Sequence, residues 1–199
     1  DGDPARGANV LNNSWGCPTV EGCDPEALLP AVRALRTAGI FVVVSAGNNG
    51  QLGCGSVQDP PAIYAEVFSV GAVNASGDLS SFSSIGPVTA DGSQRVKPDI
   101  VAPGVEVFSA TPGSTYDTYS GTSMAGPHVV GVVALMWSAN PALIGEIDRT
   151  EQILRDTAQP YTGDWPACVT ERESPNNAVG YGLVDALAAV KAALAADEP

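Results

Sequence analysis

Residue types that could do chemistry are concentrated in one stretch, Gly121 to Val129, which reads GTSMAGPHV. An apolar run continues from it to Ala139 and predicts a buried helix with Ser123 in its first turn. The free N–H groups and partial positive charge of a helix N-terminus favour an oxyanion that forms nearby. Ser123 is therefore a candidate nucleophile. The alternative is that Ser123 only caps the helix, because serine is a preferred cap residue.

This stretch resembles the nucleophile motif of the subtilisin family of serine peptidases, a Gly-Thr-Ser-Met-Ala-x-Pro-His run that opens a helix. The match is nearly complete. The resemblance implies that Ser123 is the nucleophile of a serine endopeptidase that acts on polypeptide substrates.

A second stretch, Ser45-Ala46-Gly47-Asn48, follows an apolar run and resembles the family segment that carries the oxyanion-hole asparagine. The resemblance implies that the Asn48 amide and the Ser123 backbone N–H donate to the oxyanion, and that the three residues before Asn48 contact substrate. Taken alone, Asn48 would be a turn residue beside glycines.

A third stretch, Asn13-Ser14-Trp15-Gly16, resembles the family segment that forms one wall of the primary specificity pocket. In the family this wall pairs with the substrate backbone as an added strand. The resemblance implies that Ser14, Trp15 and Gly16 bind substrate, and Trp15 could also be a core aromatic residue.

Further family-like segments lie at 81–84, 97–104 and 180–184, so the resemblance covers almost the whole chain. The residues of these segments most resemble the bacillopeptidase F-type branch. The resemblance implies a three-layer α/β fold, with a mostly parallel sheet and helices on both faces. It also implies that residues 1–199 form the C-terminal portion of a single peptidase domain.

The residues that would activate Ser123 are not in the expected places. A subtilisin triad runs Asp, His, Ser along the chain, and the family's Asp and His precede the Ser14 segment, which here has only 13 residues before it. The single histidine, His128, follows Ser123 by five positions, which is about 500° of helical rotation and leaves the side chains roughly 140° apart. We expect His128 to be a structural residue.

Two explanations for this arrangement remain. In the first, the catalytic Asp and His lie in a missing N-terminal part of the catalytic domain, with the first strands of the sheet, and their absence leaves a sheet edge or an apolar patch exposed. In the second, the chain is a catalytically inactive peptide-binding module. An unrelated α/β hydrolase is disfavoured, because Ser123 is not in a Gly-x-Ser-x-Gly elbow.

Asp59 is a further candidate substrate-binding residue. Counting forward from Asn48 and back from the family-like strand at 70–73 places Asp59 about where the family has the base of its primary pocket. A carboxylate there would favour a substrate Lys or Arg, as an Asp does in trypsin. The alternative is a turn residue that faces solvent before Pro60.

The elements that must position these residues follow from the apolar pattern. A helix is predicted to start at Asp24 and to end at Gly39, with a kink or a later start because of Pro30. Buried strands are predicted over Ile40–Val44 and Val67–Val73, and short strands and turns over 79–120. The other predicted helices are Ser123–Ala139, Glu146–Thr157 and Leu183–Ala195.

Composition limits the remaining function classes. The net charge of −13 argues against a nucleic-acid partner, and the apolar runs are too short to span a membrane. The four cysteines are either buried thiols or two disulfides of a secreted protein, Cys17–Cys23 and Cys54–Cys168. We find no metal-ligand cluster and no cofactor motif, although the resemblance allows structural calcium in a complete enzyme.

Overall fold

A parallel four-stranded sheet forms the centre of the computed structural model, which describes residues 7–196. The strands lie in chain order and are β1 (Val10–Asn13), β2 (Phe41–Ser45), β3 (Phe68–Val73) and β4 (Ile100–Pro103). Because all neighbouring pairs are parallel, the carboxyl ends of the strands meet at one edge. The segments that follow β1 and β2, which contain Ser14 and Asn48, are thereby brought side by side.

Helices cover both faces of this sheet and form two apolar layers. Alternate residues of β2 point to opposite faces: Phe41 and Val43 pack in one layer, and Val42 and Val44 in the other. The helices are α1 (Leu29–Thr37) on the second face, and α2 (Thr122–Ala139), α3 (Ile147–Asp156) and α4 (Ala186–Ala195) on the first. The predicted three-layer α/β fold is confirmed.

A two-stranded antiparallel hairpin precedes α2 and lies outside the main sheet. Its strands are β5 (Val107–Thr111) and β6 (Thr115–Tyr119). Phe108 stacks on Tyr116 with 5.5 Å between ring centroids, and both rings are exposed. The hairpin therefore presents an aromatic surface next to the start of α2.

The first predicted helix starts later than its capping signal indicates. The Asp24 carboxylate accepts a hydrogen bond of 2.8 Å from the backbone N–H of Glu26, which forms a local turn, and α1 begins only at Leu29. Pro30 then occupies the first helical turn, where a missing N–H costs nothing. The start at Asp24 was wrong, and the alternative of a later start, based on Pro30, is confirmed.

Small residues allow the first turn of α2 to lie directly against the sheet edge. A Cβ atom on Gly126 would lie 2.7 Å from Oδ1 of Asn12, and one on Gly104 would lie 2.7 Å from Cβ of Ala72 and 2.8 Å from the carbonyl oxygen of Gly121. Any side chain at these two positions would push α2 away from the strands.

An ionic cluster fixes β3, β4 and α3 to one another. The buried Lys97 ammonium donates to the Val67 carbonyl at 2.8 Å and to the Asp99 carboxylate at 2.6 Å, and Arg155 reaches Asp99 at 3.3 Å. Burial alone would raise the pKa of Asp99, but the charge and hydrogen bond of Lys97 hold it below its ordinary value. The carboxylate is therefore ionised and fully partnered.

Both cysteine pairs form disulfides in the structure. Cys17–Cys23 closes a short loop after β1, and Cys54–Cys168 joins segments separated by 114 positions. The second bond ties the loop after β2 to the irregular segment between α3 and α4.

Two surfaces of the described residues have no covering element. Strand β1 pairs with β2 alone, and α2 exposes a stripe that includes His128, Gly131 and Leu135. Residues 7–196 include no helix long and apolar enough to cross a membrane.

Replacement of Lys97 by methionine should lower the free energy of unfolding by about 3–5 kcal/mol, because the buried Asp99 charge loses its closest partner. Urea denaturation measures this change, and Lys191→Met on the exposed side of α4 is the matched control. Equal stability of the two variants would show that the cluster contributes no net stability.

Candidate active site

The Ser123 side chain is not used as a helix cap. Gly121 occupies the N-cap position of α2 without any side-chain cap, and Ser123 is the second helical residue. Its Oγ donates to the backbone carbonyl of Ser14 at 3.4 Å, and the Ser14 hydroxyl donates to the Ser123 carbonyl at 3.3 Å. The hydroxyl therefore lies at the junction of α2 and the segment after β1, available to a ligand.

Asn48 is oriented by Thr122, the residue just before the serine. Its Oδ1 accepts hydrogen bonds from both the backbone N–H and the hydroxyl of Thr122, each at 2.9 Å. The oxygen is thereby occupied, and Nδ2 has no partner among residues 7–196. Nδ2 lies 3.5 Å from the position of a Cβ on Gly121, so the amide donor is beside the first turn of α2.

All nine predicted site residues line one cavity of about 150 Å³. Ser14, Trp15 and Gly16 form one side, and the Ser45–Asn48 segment forms the other. Ser123 and Asp59 also line it. The sequence analysis missed four further lining residues: Asn49, Ser56, Gln58 and Ala62. Their positions in loops give no sequence signal of their own. Thr122 was also missed, although it lies inside the motif, because its role depends on the position of Asn48.

Asp59 is partly buried, and no other described residue contacts its carboxylate by a hydrogen bond or an ion pair. Burial and the nearby negative charge of Glu21 raise the pKa of Asp59 above its ordinary value. Asp59 thus differs from Asp99, whose charge is compensated inside the fold.

His128 does not lie in a position to assist Ser123 through a direct hydrogen bond. Its Nδ1 contacts the Met124 carbonyl oxygen of its own helix at 2.9 Å, and the ring is exposed on the uncovered stripe of α2. This geometry agrees with the interpretation of His128 as a structural residue.

A second cavity, of about 510 Å³, adjoins Ser123 on the other side. It lies between strand β5 and the start of α2, and its lining includes Phe108, Tyr119, Ser123, Met124 and His128. The serine therefore stands between two concave surfaces, as a residue at the centre of an extended binding groove would.

The comparisons with known proteins agree with this geometry. The family model described as the Subtilase family matches residues 4–182. The chain belongs to the subtilase family. It is 44% identical over 193 residues to bacillopeptidase F of Bacillus subtilis (strain 168), and 42% identical over 133 residues to subtilisin E of the same organism. These matches cover 95% and 67% of this chain.

Solved structures with the same fold include two further proteases. The chain matches the prenylagaramide maturation protease PagA with a TM-score of 0.71 at 26% identity, over 94% of this chain. A serine-to-alanine mutant of the protease domain of PatA matches with a TM-score of 0.73 at 28% identity, over 98% of this chain.

This subtilase chain spans only part of each of these relatives. It covers 12% of bacillopeptidase F, 32% of subtilisin E, and 62% and 63% of the PagA and PatA chains. Residues 7–196 hold no group of three or more His, Cys, Asp or Glu side chains that could bind a metal ion, so we assign no calcium ligands.

Replacement of Thr122 by valine should lower the free energy of unfolding by about 1 kcal/mol, because the buried hydroxyl donates one of the two bonds that hold Asn48. Urea denaturation gives the change, and Thr118→Val on the exposed strand β6 is the control. An equal effect of both substitutions would contradict a specific role for this hydrogen bond.

Proposed function

We propose that this chain supplies the nucleophile and the oxyanion donors of a subtilisin-type serine endopeptidase. The observation that carries the proposal is that Ser123 and Asn48, whose amide nitrogen has no partner among residues 7–196, line one cavity. Membership of the subtilase family supports peptide bonds as the substrate class.

In this mechanism Ser123 Oγ attacks the carbonyl carbon of the scissile peptide bond and passes its proton to a general base. Negative charge develops on the carbonyl oxygen and is stabilised by the Asn48 Nδ2 and the backbone N–H of Ser123, at the positive end of α2. Collapse of the tetrahedral intermediate releases the amine, which takes the proton from the base, and leaves an acyl-serine. Water then attacks the acyl-serine with the same base, which frees the acid and restores Ser123.

Among residues 7–196 no base contacts the Ser123 hydroxyl, and His128 is bonded to its own helix. We therefore propose that residues 1–199 form the C-terminal portion of one catalytic domain, and that its partner is an N-terminal part that carries the catalytic Asp and His. Two features support this arrangement. An apolar groove of about 720 Å³ runs along the exposed stripe of α2, lined by residues such as Pro127, Gly131 and Leu135, and β1 offers an unpaired edge.

We also propose that the enzyme acts outside the cell. Two disulfides in a chain of 199 residues are typical of oxidising compartments, where such bonds persist. The acidic net charge of −13 suits a soluble enzyme there.

A catalytically inactive peptide-binding module is the second candidate. It is favoured by one specific observation: no base within the described residues contacts the Ser123 hydroxyl, whose hydrogen-bond partner is the Ser14 carbonyl. One measurement distinguishes the two candidate functions: the endopeptidase hydrolyses peptides in a way that depends on Ser123, and the binding module does not.

Two substitutions test the proposed mechanism in the full-length protein encoded by the reading frame that contains these residues. Ser123→Ala should abolish peptide hydrolysis, and Asn48→Ala should lower kcat by about 10²–10³ with little change in KM, which is the size of the effect known for subtilisin. Asn9→Ala is the matched control, since Asn9 is an exposed asparagine that does not line this cavity. Hydrolysis that survives Ser123→Ala would refute the proposal. No hydrolysis in the unsubstituted protein would favour the binding module.

The purified 199-residue chain alone should have a kcat about 10⁶ lower than the complete enzyme, because serine is a weak nucleophile without a base. A fluorogenic peptide assay at matched concentrations measures this ratio. Turnover at ordinary protease rates would show that a base exists within the chain itself.

A further inference from the structure

We infer that the complete enzyme cleaves after Lys or Arg, and that Asp59 is the residue that selects them. This inference rests on the proposed function, because it assigns the 150 Å³ cavity to the substrate side chain just before the cleaved bond. Ser123 and Asn48 both line that cavity, so we assign it to the side chain of the residue whose carbonyl they would contact.

The lining of the cavity favours a substrate side chain that ends in a cation. The lining includes the segments Trp15–Gly16 and Ser45–Gly47 together with Asp59. Asp59 lies against the Trp15–Gly16 segment: a Cβ on Gly16 would be 3.2 Å from the Asp59 Cβ. A cationic side chain that enters this cavity would therefore meet a carboxylate among the groups that line it.

The Asp59 loop is held in place by its neighbours. The backbone N–H of Cys17 donates to the carbonyl of Pro60 at 2.8 Å, so the loop is bonded to the residue that follows the Trp15–Gly16 segment. Cys17 is itself linked by its disulfide to Cys23. The backbone that carries Asp59 is therefore preorganised, and a ligand does not need to order it.

The charge of Asp59 is uncompensated, unlike that of four other carboxylates among residues 7–196. Glu66, Asp91, Asp99 and Glu151 each form an ion pair with an Arg or Lys. Asp59 has no such partner among residues 7–196, and no Lys or Arg lines its cavity.

The nearby Glu21 adds a second negative charge, and together with burial it raises the pKa of Asp59. An unpaired, partly buried carboxylate is costly, and an incoming ammonium or guanidinium group would remove that cost.

The same arrangement disfavours other substrate side chains. An apolar or aromatic side chain would displace water from the carboxylate without replacing its hydrogen bonds, and an acidic one would be repelled by Asp59 and Glu21. Discrimination therefore acts through charge and through the hydrogen bonds of the carboxylate.

The test compares peptides that differ only in the residue before the cleaved bond: Arg, its neutral isostere citrulline, Lys, Leu and Phe. In the full-length protein we expect kcat/KM for Arg to exceed that for citrulline by about ten- to a hundredfold, the range typical of a hydrogen-bonded charge pair. Asp59→Asn should bring this ratio close to one, and Glu21→Gln should lower it to a smaller extent. Asp164→Asn removes an exposed charge outside the cavity and should leave the ratio unchanged.

Binding to the Ser123→Ala protein separates this inference from the proposed mechanism, because it needs no catalysis. Calorimetry should show tighter binding of the Arg peptide than of the citrulline peptide, and Asp59→Asn should remove the difference. This binding result would support the role of Asp59 even if no Ser123-dependent hydrolysis were found. A lack of such hydrolysis would refute only the proposed mechanism. Equal binding of the two peptides, or cleavage after Leu or Phe at least as fast as after Arg and unaffected by Asp59→Asn, would overturn the inference.

Discussion

The site depends on the close approach of the first turn of α2 to the carboxyl edge of the sheet. This approach is sterically permitted only because Gly104 and Gly126 lack side chains where the helix meets Ala72 and Asn12. It brings together a helix N-terminus, the segment after β1 and the segment after β2, which are far apart in the chain. The hydrogen bonds of Ser123 with Ser14 and of Thr122 with Asn48 depend on this close approach of the helix to the sheet edge.

The polar groups around Ser123 are of two kinds: some hold the fold together, and others remain free to donate a hydrogen bond. The Asn48 side chain uses its oxygen for the fold and leaves its nitrogen without a partner among residues 7–196, so an orienting contact and a free donor are parts of one amide. The fold gives the structural carboxylate of Asp99 a counter-charge, Lys97, but it gives the carboxylate of Asp59 none. In both cases the unsatisfied group faces the same cavity.

The sequence predicted the elements that have a strong local signal and missed details that depend on contacts across the chain. The apolar runs located β2 and β3, and α2 begins within one residue of its predicted start. The motif pointed to Ser123, and a second resemblance pointed to Asn48. The start of α1 was wrong because the Asp24 side chain is used for a local turn instead of a helix cap. The holding role of Thr122 had no local signature, because its partner Asn48 lies 74 positions away in the sequence.

The Cys54–Cys168 bond has a consequence for the proposed endopeptidase, whose molecules would work among their own copies. A protease exposes its loops to neighbouring molecules, and exposed loop tips are preferred places for nicking. The cross-link encloses the segment that contains the hairpin, the serine and α2. A single cut anywhere between positions 54 and 168 therefore leaves both pieces covalently joined, and the two halves of the groove stay in one molecule after such damage.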